Sequence, residues 1–243
     1  MKAMILAAGL GTRLRPLTNT IPKALIPLNG ITLLERTIKK ISLAGFDEII
    51  INVHHFAEQI KKILEQKKYF GLNISISDES DELLDTGGGL KKAVSFFDDA
   101  EPFLLHNVDV LTDLNLNELL NSHKKNNSIA TLAVMKRESS RQFLFDDEMN
   151  LCGWQNQKTK EKKISRQKIT SFQQFAFCGI QILEPAIFDF FPQENKFSLV
   201  NFYIQVSRAK TIKGLLTNSK YFYDLGSIKK LTEAEKFISQ TRS

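Results

Sequence analysis

Lys2-Ala3-Met4-Ile5-Leu6-Ala7-Ala8-Gly9-Leu10-Gly11-Thr12-Arg13-Leu14 decides how the chain is read. Lys2 to Ala7 is a short apolar run that closes on a glycine turn. An unbroken run of this length fits a strand buried on both faces of a parallel sheet. Downstream, Leu34, Ile38 and Ile41 recur at i, i+4 and i+7 before Gly45, which predicts a helix and its stop. Ile49 to Val53 is β-branched and predicts a strand. Phe56, Ile60, Ile63 and Leu64 form the next helical stripe, and Asn73 to Ser77 alternates as a strand. Leu90 to Phe97 predicts a short helix opening after three glycines, and Phe103 to Asn107 another buried strand. This alternation of strand and helix is the signature of a parallel sheet wrapped by crossover helices. Ligands of such sheets bind beyond the carboxyl ends of the strands.

The segment from Arg141 to Gln181 breaks the rhythm. It predicts a hairpin around Asp146 to Asn150, a basic loop, and a strand running through Cys178-Gly179. Leu199, Tyr203 and Val206 mark a later helix, Tyr221 to Gly226 a strand, and Ser227 the cap of a last helix. The fold class expected is α/β, a Rossmann-like three-layer sandwich with a mostly parallel sheet flanked by helices. Residues 1–243 read as one domain carrying a small antiparallel β insertion at about 141–173.

Composition narrows the function classes. Hydrophobic residues make up 42% and charged residues 25%, as in a globular protein, and no apolar run approaches a membrane span, so no membrane partner is expected. Cys152 and Cys178 offer neither a disulfide framework nor metal-ligand spacing, and a reducing, cytoplasmic location is expected. The net charge of +6 is local, because residues 158–168 alone carry +5. That concentration argues against a basic face for nucleic acid and predicts a solvated, extended loop.

The chemistry gathers at the glycine turn. Gly9 and Gly11 let backbone N–H groups approach an anion. The dinucleotide fingerprint would need a third glycine where Leu14 stands, and no Walker loop is present. What remains is Arg13 beside the turn and Pro22-Lys23 ten residues later, on a segment expected to face solvent. An arginine fork and a lysine point charge together suit a polyphosphate. Asp109 and Asp224 each end an apolar run and so belong at a carboxyl edge of the sheet. Two carboxylates there can share one Mg²⁺ with phosphate oxygens.

Leu6 to Leu14, Pro16-Leu17-Thr18 and Pro22 to Pro27 together resemble the signature of the sugar-1-phosphate nucleotidyltransferases. The N-acetylmuramate-1-phosphate uridylyltransferase branch is nearest, with the short mannose-1-phosphate guanylyltransferases beside it. The resemblance continues through Asp85-Thr86-Gly87-Gly88-Gly89, Asn107-Val108-Asp109-Val110 and Tyr223-Asp224-Leu225-Gly226-Ser227. It implies the nucleotide-diphospho-sugar transferase fold and Mg²⁺-dependent transfer of a nucleotidyl group from UTP or GTP, UTP favoured, to a sugar 1-phosphate. It implies Arg13 and Lys23 as catalytic residues and Asp109 and Asp224 as metal ligands. Ala8, Gly9, Gly11, Thr12, Arg13, Thr86, Gly87 and Gly88 would bind nucleotide, with the three glycines as a loop beside the base. Asn107 and Gly179 would bind the sugar phosphate. A monomer or homodimer is expected. The alternatives are a choline-phosphate cytidylyltransferase-like enzyme and a catalytically silent, nucleotide-binding regulatory homologue. Two positions depart from the family pattern. Val108 stands where glycine is usual, and Ile169 to Phe177 lacks the Glu-Lys-Pro segment common in the sugar pocket.

Overall fold

Ala3, Met4 and Ile5 have no exposed surface, as an apolar run buried on both faces requires. The computed structural model describes residues 1–166 and 171–241. In chain order its strands and helices are β1 (Lys2–Leu6), β2 (Pro27–Leu28), β3 (Ile31–Thr32), α1 (Leu33–Leu43), β4 (Glu48–Val53), α2 (Ala57–Gln66), β5 (Asn73–Asp78), α3 (Asp85–Lys92), β6 (Phe103–Asn107) and β7 (Val110–Thr112). They continue with α4 (Leu116–Lys125), β8 (Ala130–Met135), β9 (Arg141–Phe145), β10 (Leu151–Asn156), β11 (Lys162–Ile164), β12 (Gln173–Leu183), α5 (Leu199–Val206), β13 (Ile212–Leu216), β14 (Phe222–Asp224) and α6 (Ile228–Thr241).

The main sheet runs β11-β10-β9-β12-β6-β1-β4-β5, with β8 beside β12 and β13 beside β8. β6, β1, β4 and β5 are parallel. β12 turns the sheet antiparallel, pairing with β9 over 173–175, with β8 at 176–177 and again at 181–183, and with β6 over 180–183. Leu34, Ile38 and Ile41 of α1, Ile60 and Leu64 of α2, and Leu119 of α4 pack on one face. Leu90 of α3 and Phe202, Tyr203 and Val206 of α5 pack on the other, with Phe143, Phe145, Trp154 and Phe175 of the antiparallel region. The expected three layers and insertion are therefore in place. A smaller cluster joins Leu231, Ala234 and Ile238 of α6 to Leu14, Ile26, Leu28 and Leu33.

Three local expectations are corrected. The three glycines are not a loop before a helix: they lie inside α3, which starts at Asp85. A Cβ at Gly87 would stand 2.3 Å from the Phe197 ring, and one at Gly88 would stand 2.0 Å from the Asn195 carbonyl oxygen. Close packing against 195–197 outweighs glycine's poor helix propensity here. The predicted helix at 90–97 becomes the end of α3 and a single 3-10 turn, Val94–Phe96. The basic stretch is not a free loop either. Lys162–Ile164 pairs with β10 as an edge strand, and the Arg166 Nε donates to the Ser207 carbonyl at 3.0 Å. Lysines along an edge strand discourage further pairing, which accounts for the charge without a ligand. Gln167 and Lys168 of that stretch, and Ile169 and Thr170 beyond it, lie outside the described residues.

Candidate functional site

A cleft of about 360 Å³ opens at the carboxyl ends of β1, β4 and β6. Ala7, Ala8, Gly9, Lys23, Asn52, Asn107, Val108 and Asp109 line one side, and Leu83, Asp85, Thr86 and Lys196 the other. Its floor is held by a buried polar bridge. The Ala7 N–H donates to Asn52 Oδ1 at 2.7 Å, and Asn52 Nδ2 donates to Glu79 Oε1 at 2.7 Å. Asn52 is 2% exposed and Glu79 1%, so each needs the other to satisfy its polar atoms. Burial holds the Glu79 carboxyl above the usual carboxylate range. The bridge occupies the Ala7 N–H and fixes where the chain leaves β1.

The two glycines of the turn have different work. A Cβ at Gly9 would meet nothing within 4 Å, so Gly9 faces open cleft. Gly11 has φ +61°, and a Cβ there would stand 2.8 Å from Thr18 Cγ2, so its need for glycine is local to the turn. Thr12 and Arg13 are exposed and absent from the cleft wall. The Arg13 guanidinium instead packs on Gly226, where a Cβ would stand 2.7 Å from its Nη2 and 2.9 Å from Asp224 Oδ1. Arg13 thus flanks Asp224 rather than Lys23.

Lys23 overturns the expectation of a solvent-facing segment. It is 9% exposed, on the 3-10 turn Lys23–Leu25, whose Ala24 is fully buried. Anchoring that turn in the core draws the lysine stem inward, and its ammonium forms an ion pair with the Asp109 carboxylate. Asp109 is placed by the peptide that follows β6: the Val108 N–H donates to the Leu6 carbonyl at 3.1 Å. Val108 is not among the residues with positive φ, so the β-branched side chain sits in ordinary backbone where the family has glycine. β14 then pairs with β7, aligning Asp224 with Val110, and the Leu225 N–H donates to the Asp109 carbonyl at 2.8 Å. The fold brings the two aspartates side by side.

No group of three or more His, Cys, Asp or Glu poised for a metal exists among the described residues. The Asp109 and Asp224 pair nevertheless fits Mg²⁺, which takes one or two carboxylates and completes its shell with phosphate and water. That Asp109 already draws a cation, the Lys23 ammonium, is consistent with this donor set.

Gly179 has φ +72°, and a Cβ there would stand 2.7 Å from Asn107 Nδ2, so these two expected sugar-phosphate residues meet. Thr86 lines the cleft, and its hydroxyl accepts the Leu199 N–H at 3.0 Å. Gly87 and Gly88 are buried within α3 and line no part of the cleft. The sequence reading missed Asn52, Glu79 and Lys196. Asn52 had a signal: it is a lone amide inside the apolar run of β4. Glu79 and Lys196 had none. Burial pushes the Cys152 and Cys178 thiols up to about 11 and about 12, and His106 down to about 4, so neither thiol is activated and the His106 imidazole is neutral near pH 7.

The fold thus gathers a strand-end cleft, a lysine turned inward and two aspartates in one place. Residues 2–241 match the family model for Nucleotidyl transferase, and the chain belongs to that family. It is similar to the UTP–glucose-1-phosphate uridylyltransferase of Synechocystis sp., 34% identical over 215 residues that cover 82% of this chain and 53% of that one. It is also similar to the N-acetylmuramate alpha-1-phosphate uridylyltransferase of Neisseria meningitidis, 44% identical over 114 residues, 47% of this chain and 49% of that one. The chain thus spans about half the length of the curated relatives it matches. Among solved structures, HddC from Yersinia pseudotuberculosis complexed with GMP-PN superposes with a TM-score of 0.79 at 21% identity, covering 98% of this chain and 99% of that one. At that identity the likeness is one of fold.

Proposed function

We propose that the protein transfers a nucleotidyl group from a nucleoside triphosphate to a sugar 1-phosphate, releasing pyrophosphate, with UTP preferred over GTP. The observation that carries this is the buried Lys23 ammonium facing Asp109 at the mouth of the Gly9 cleft. In this reaction an anionic phosphate oxygen of the acceptor attacks the α-phosphorus. The new P–O bond forms as the bond to the β-phosphate oxygen breaks, and pyrophosphate leaves with the electron pair. The nucleophile is already charged, so no side-chain base is required. The protein's share is alignment and charge neutralisation. Lys23 exchanges Asp109 for the α-phosphoryl oxygens. Gly9 gives the triphosphate room, Asn52 and Glu79 hold that turn still, and Arg13 adds positive charge beside Asp224. Mg²⁺ held by Asp109 and Asp224 would supply Lewis-acid neutralisation of the phosphates. The uridylyltransferase names of the two relatives support UTP. No aromatic residue lines the cleft among the described residues, which leaves a quaternary ammonium acceptor without the ring cage it favours. Lys23, Asp109 and Asp224 are all present, which argues against a silent homologue.

A pyrophosphate-release screen of the purified protein, four nucleoside triphosphates against a panel of sugar 1-phosphates with Mg²⁺, tests the proposal. Release that requires both substrates and is fastest with UTP is expected. No release with any pair overturns the activity, and fastest release with GTP overturns the base preference.

A further inference from the structure

Lys196 lines the cleft at Gly9, on the wall opposite Lys23, and no step of the proposed reaction uses it. The two lysines are in different states. The Lys23 ammonium is matched by Asp109, whereas Lys196 has no ion pair or hydrogen bond among the described residues. A solvated lysine is ordinary, but the main chain that carries this one is held at nearly every residue. Lys91, near the end of α3, turns its Nζ onto three successive carbonyls, donating to Pro192 at 2.9 Å, Gln193 at 3.0 Å and Glu194 at 3.2 Å. All three ammonium donors are thereby committed to one short segment. Gly88, lacking a Cβ, leaves room for the Asn195 carbonyl oxygen, 2.0 Å from where that Cβ would stand. The Gly87 N–H donates to the Phe197 carbonyl at 2.9 Å, and the Leu199 N–H donates to the Thr86 hydroxyl at 3.0 Å.

This docking has a cost. Two glycines inside α3 forfeit helix propensity, and the long Lys91 side chain is ordered. Residues 193–196 are all polar and exposed, so core packing does not account for holding them. What the docking fixes is the point from which Lys196 enters the cleft. Charge then says what meets it there. The cleft wall carries Lys23 and Lys196 against Asp85 and Asp109. Lys23 and Asp109 cancel within one ion pair, and Asp85 turns an oxygen to the Thr86 N–H at 2.6 Å. Lys196 is the cation left for a ligand. An ammonium is a compact point charge with three donors, which suits phosphoryl oxygens. Two cations on opposite walls of one cleft focus an anion between them.

Resting on the proposed transfer reaction, we infer that Lys196 contacts a phosphoryl group of the bound substrates from the side opposite Lys23, and that Lys91 is the positioning residue that sets its reach. The phosphoryl group belongs to the nucleotide or to the acceptor; its chemistry is the same in both, and the arms of the test separate them.

The test is calorimetric titration of the full chain, with Mg²⁺, using UTP and glucose 1-phosphate, alongside steady-state pyrophosphate release. Lys196→Ala, an exposed substitution, should weaken at least one ligand tenfold or more, and Lys196→Arg should recover part of the loss. A loss confined to UTP assigns the contact to the nucleotide. A loss confined to glucose 1-phosphate, or to KM for the acceptor, assigns it to the acceptor. Lys91→Met should weaken the same ligand in the parent background and add nothing in the Lys196→Ala background, because it acts through Lys196. Thermal unfolding of each variant separates a lost site from a lost fold, and Lys91→Gln reads the same coupling should Lys91→Met unfold. Unchanged affinity and KM for both ligands in Lys196→Ala, or binding of neither ligand by the parent, overturns the contact. A Lys91 loss that persists undiminished beside Lys196→Ala overturns the positioning role. Lys196-dependent binding without pyrophosphate release from any pair of substrates keeps the inference and sinks the transfer reaction, and release untouched by Lys196→Ala does the reverse.

Discussion

The cleft at Gly9 and a second, open cleft beside Arg137, lined by amides, are made in opposite ways. The first is framed by main chain at the ends of parallel strands, and its polar anchors, Asn52 and Glu79, are almost wholly buried. The second is framed by side chains of an antiparallel region, where Gln142, Gln155, Gln157 and Gln174 are partly or fully exposed and hydrogen-bond to one another. A rigid frame of strand ends suits the part of the proposed reaction that is common to every acceptor, the triphosphate. Adaptable amides on a flap suit the variable part, the sugar. On this division, damage to the first cleft affects every acceptor alike, and damage to the second changes which acceptor is preferred.

The largest effect is expected at Lys23. Lys23→Ala removes the cation at the reacting phosphorus and should cost on the order of 3 kcal/mol of barrier, about 10²-fold or more in kcat, for every acceptor. Steady-state pyrophosphate release measures it, and a variant that keeps parent rates would remove Lys23 from the chemistry. Asp109→Ala and Asp224→Ala should each abolish most Mg²⁺-dependent turnover, with the double variant little worse than either single one, because residues serving one ion act as a unit. Losses that multiply in the double variant would break the shared-ion arrangement.

Next comes the buried bridge. Asn52→Leu leaves the Ala7 N–H and a Glu79 oxygen without partners, for about 1–3 kcal/mol of stability and a raised KM for the nucleotide, read by urea unfolding and kinetics. Glu79→Gln isolates the charge. Since burial raises the folded-state pKa of Glu79, the native protein holds that proton more tightly than the unfolded chain. Its contribution to stability is therefore present below the ordinary value of 4.5 and lost as pH rises through the folded value. The stability of Glu79→Gln relative to the parent should rise with pH across that window, by at most about 1.4 kcal/mol per pH unit. A flat difference would show that the carboxyl is not perturbed. The smallest effect belongs to the basic edge strand: Lys160→Ser with Lys162→Ser should change kcat/KM less than about twofold, and stability by about 0.5 kcal/mol or less.

The same contrast explains what was legible in the sequence. β1, α1, β4, α2 and β6 follow from apolar periodicity because each buries a regular face. Gly9, Asn107, Asp109 and Asp224 stand at strand ends, where spacing alone places them. Lys23 was legible as a residue but not in its setting, because its burial depends on Ala24 packing and on Asp109, 86 residues away. The glycines of α3 misled because their role is set by Asn195 and Phe197, more than a hundred residues on. The amide wall was invisible: Gln142, Gln155 and Gln174 on three strands, with Gln157 just beyond β10, look like ordinary solvent-facing positions until register brings Gln142 opposite Gln155.

Gly9 offers the most direct test that the first cleft is the nucleotide site. Its missing Cβ points into open space, and its backbone is ordinary, so Gly9→Val should fold with an unchanged unfolding midpoint while filling the cleft. Titrating UTP with Mg²⁺ into parent and variant by calorimetry should show binding to the parent and at least a 50-fold loss in Gly9→Val. Equal binding by a folded Gly9→Val would place the nucleotide elsewhere and contradict the account.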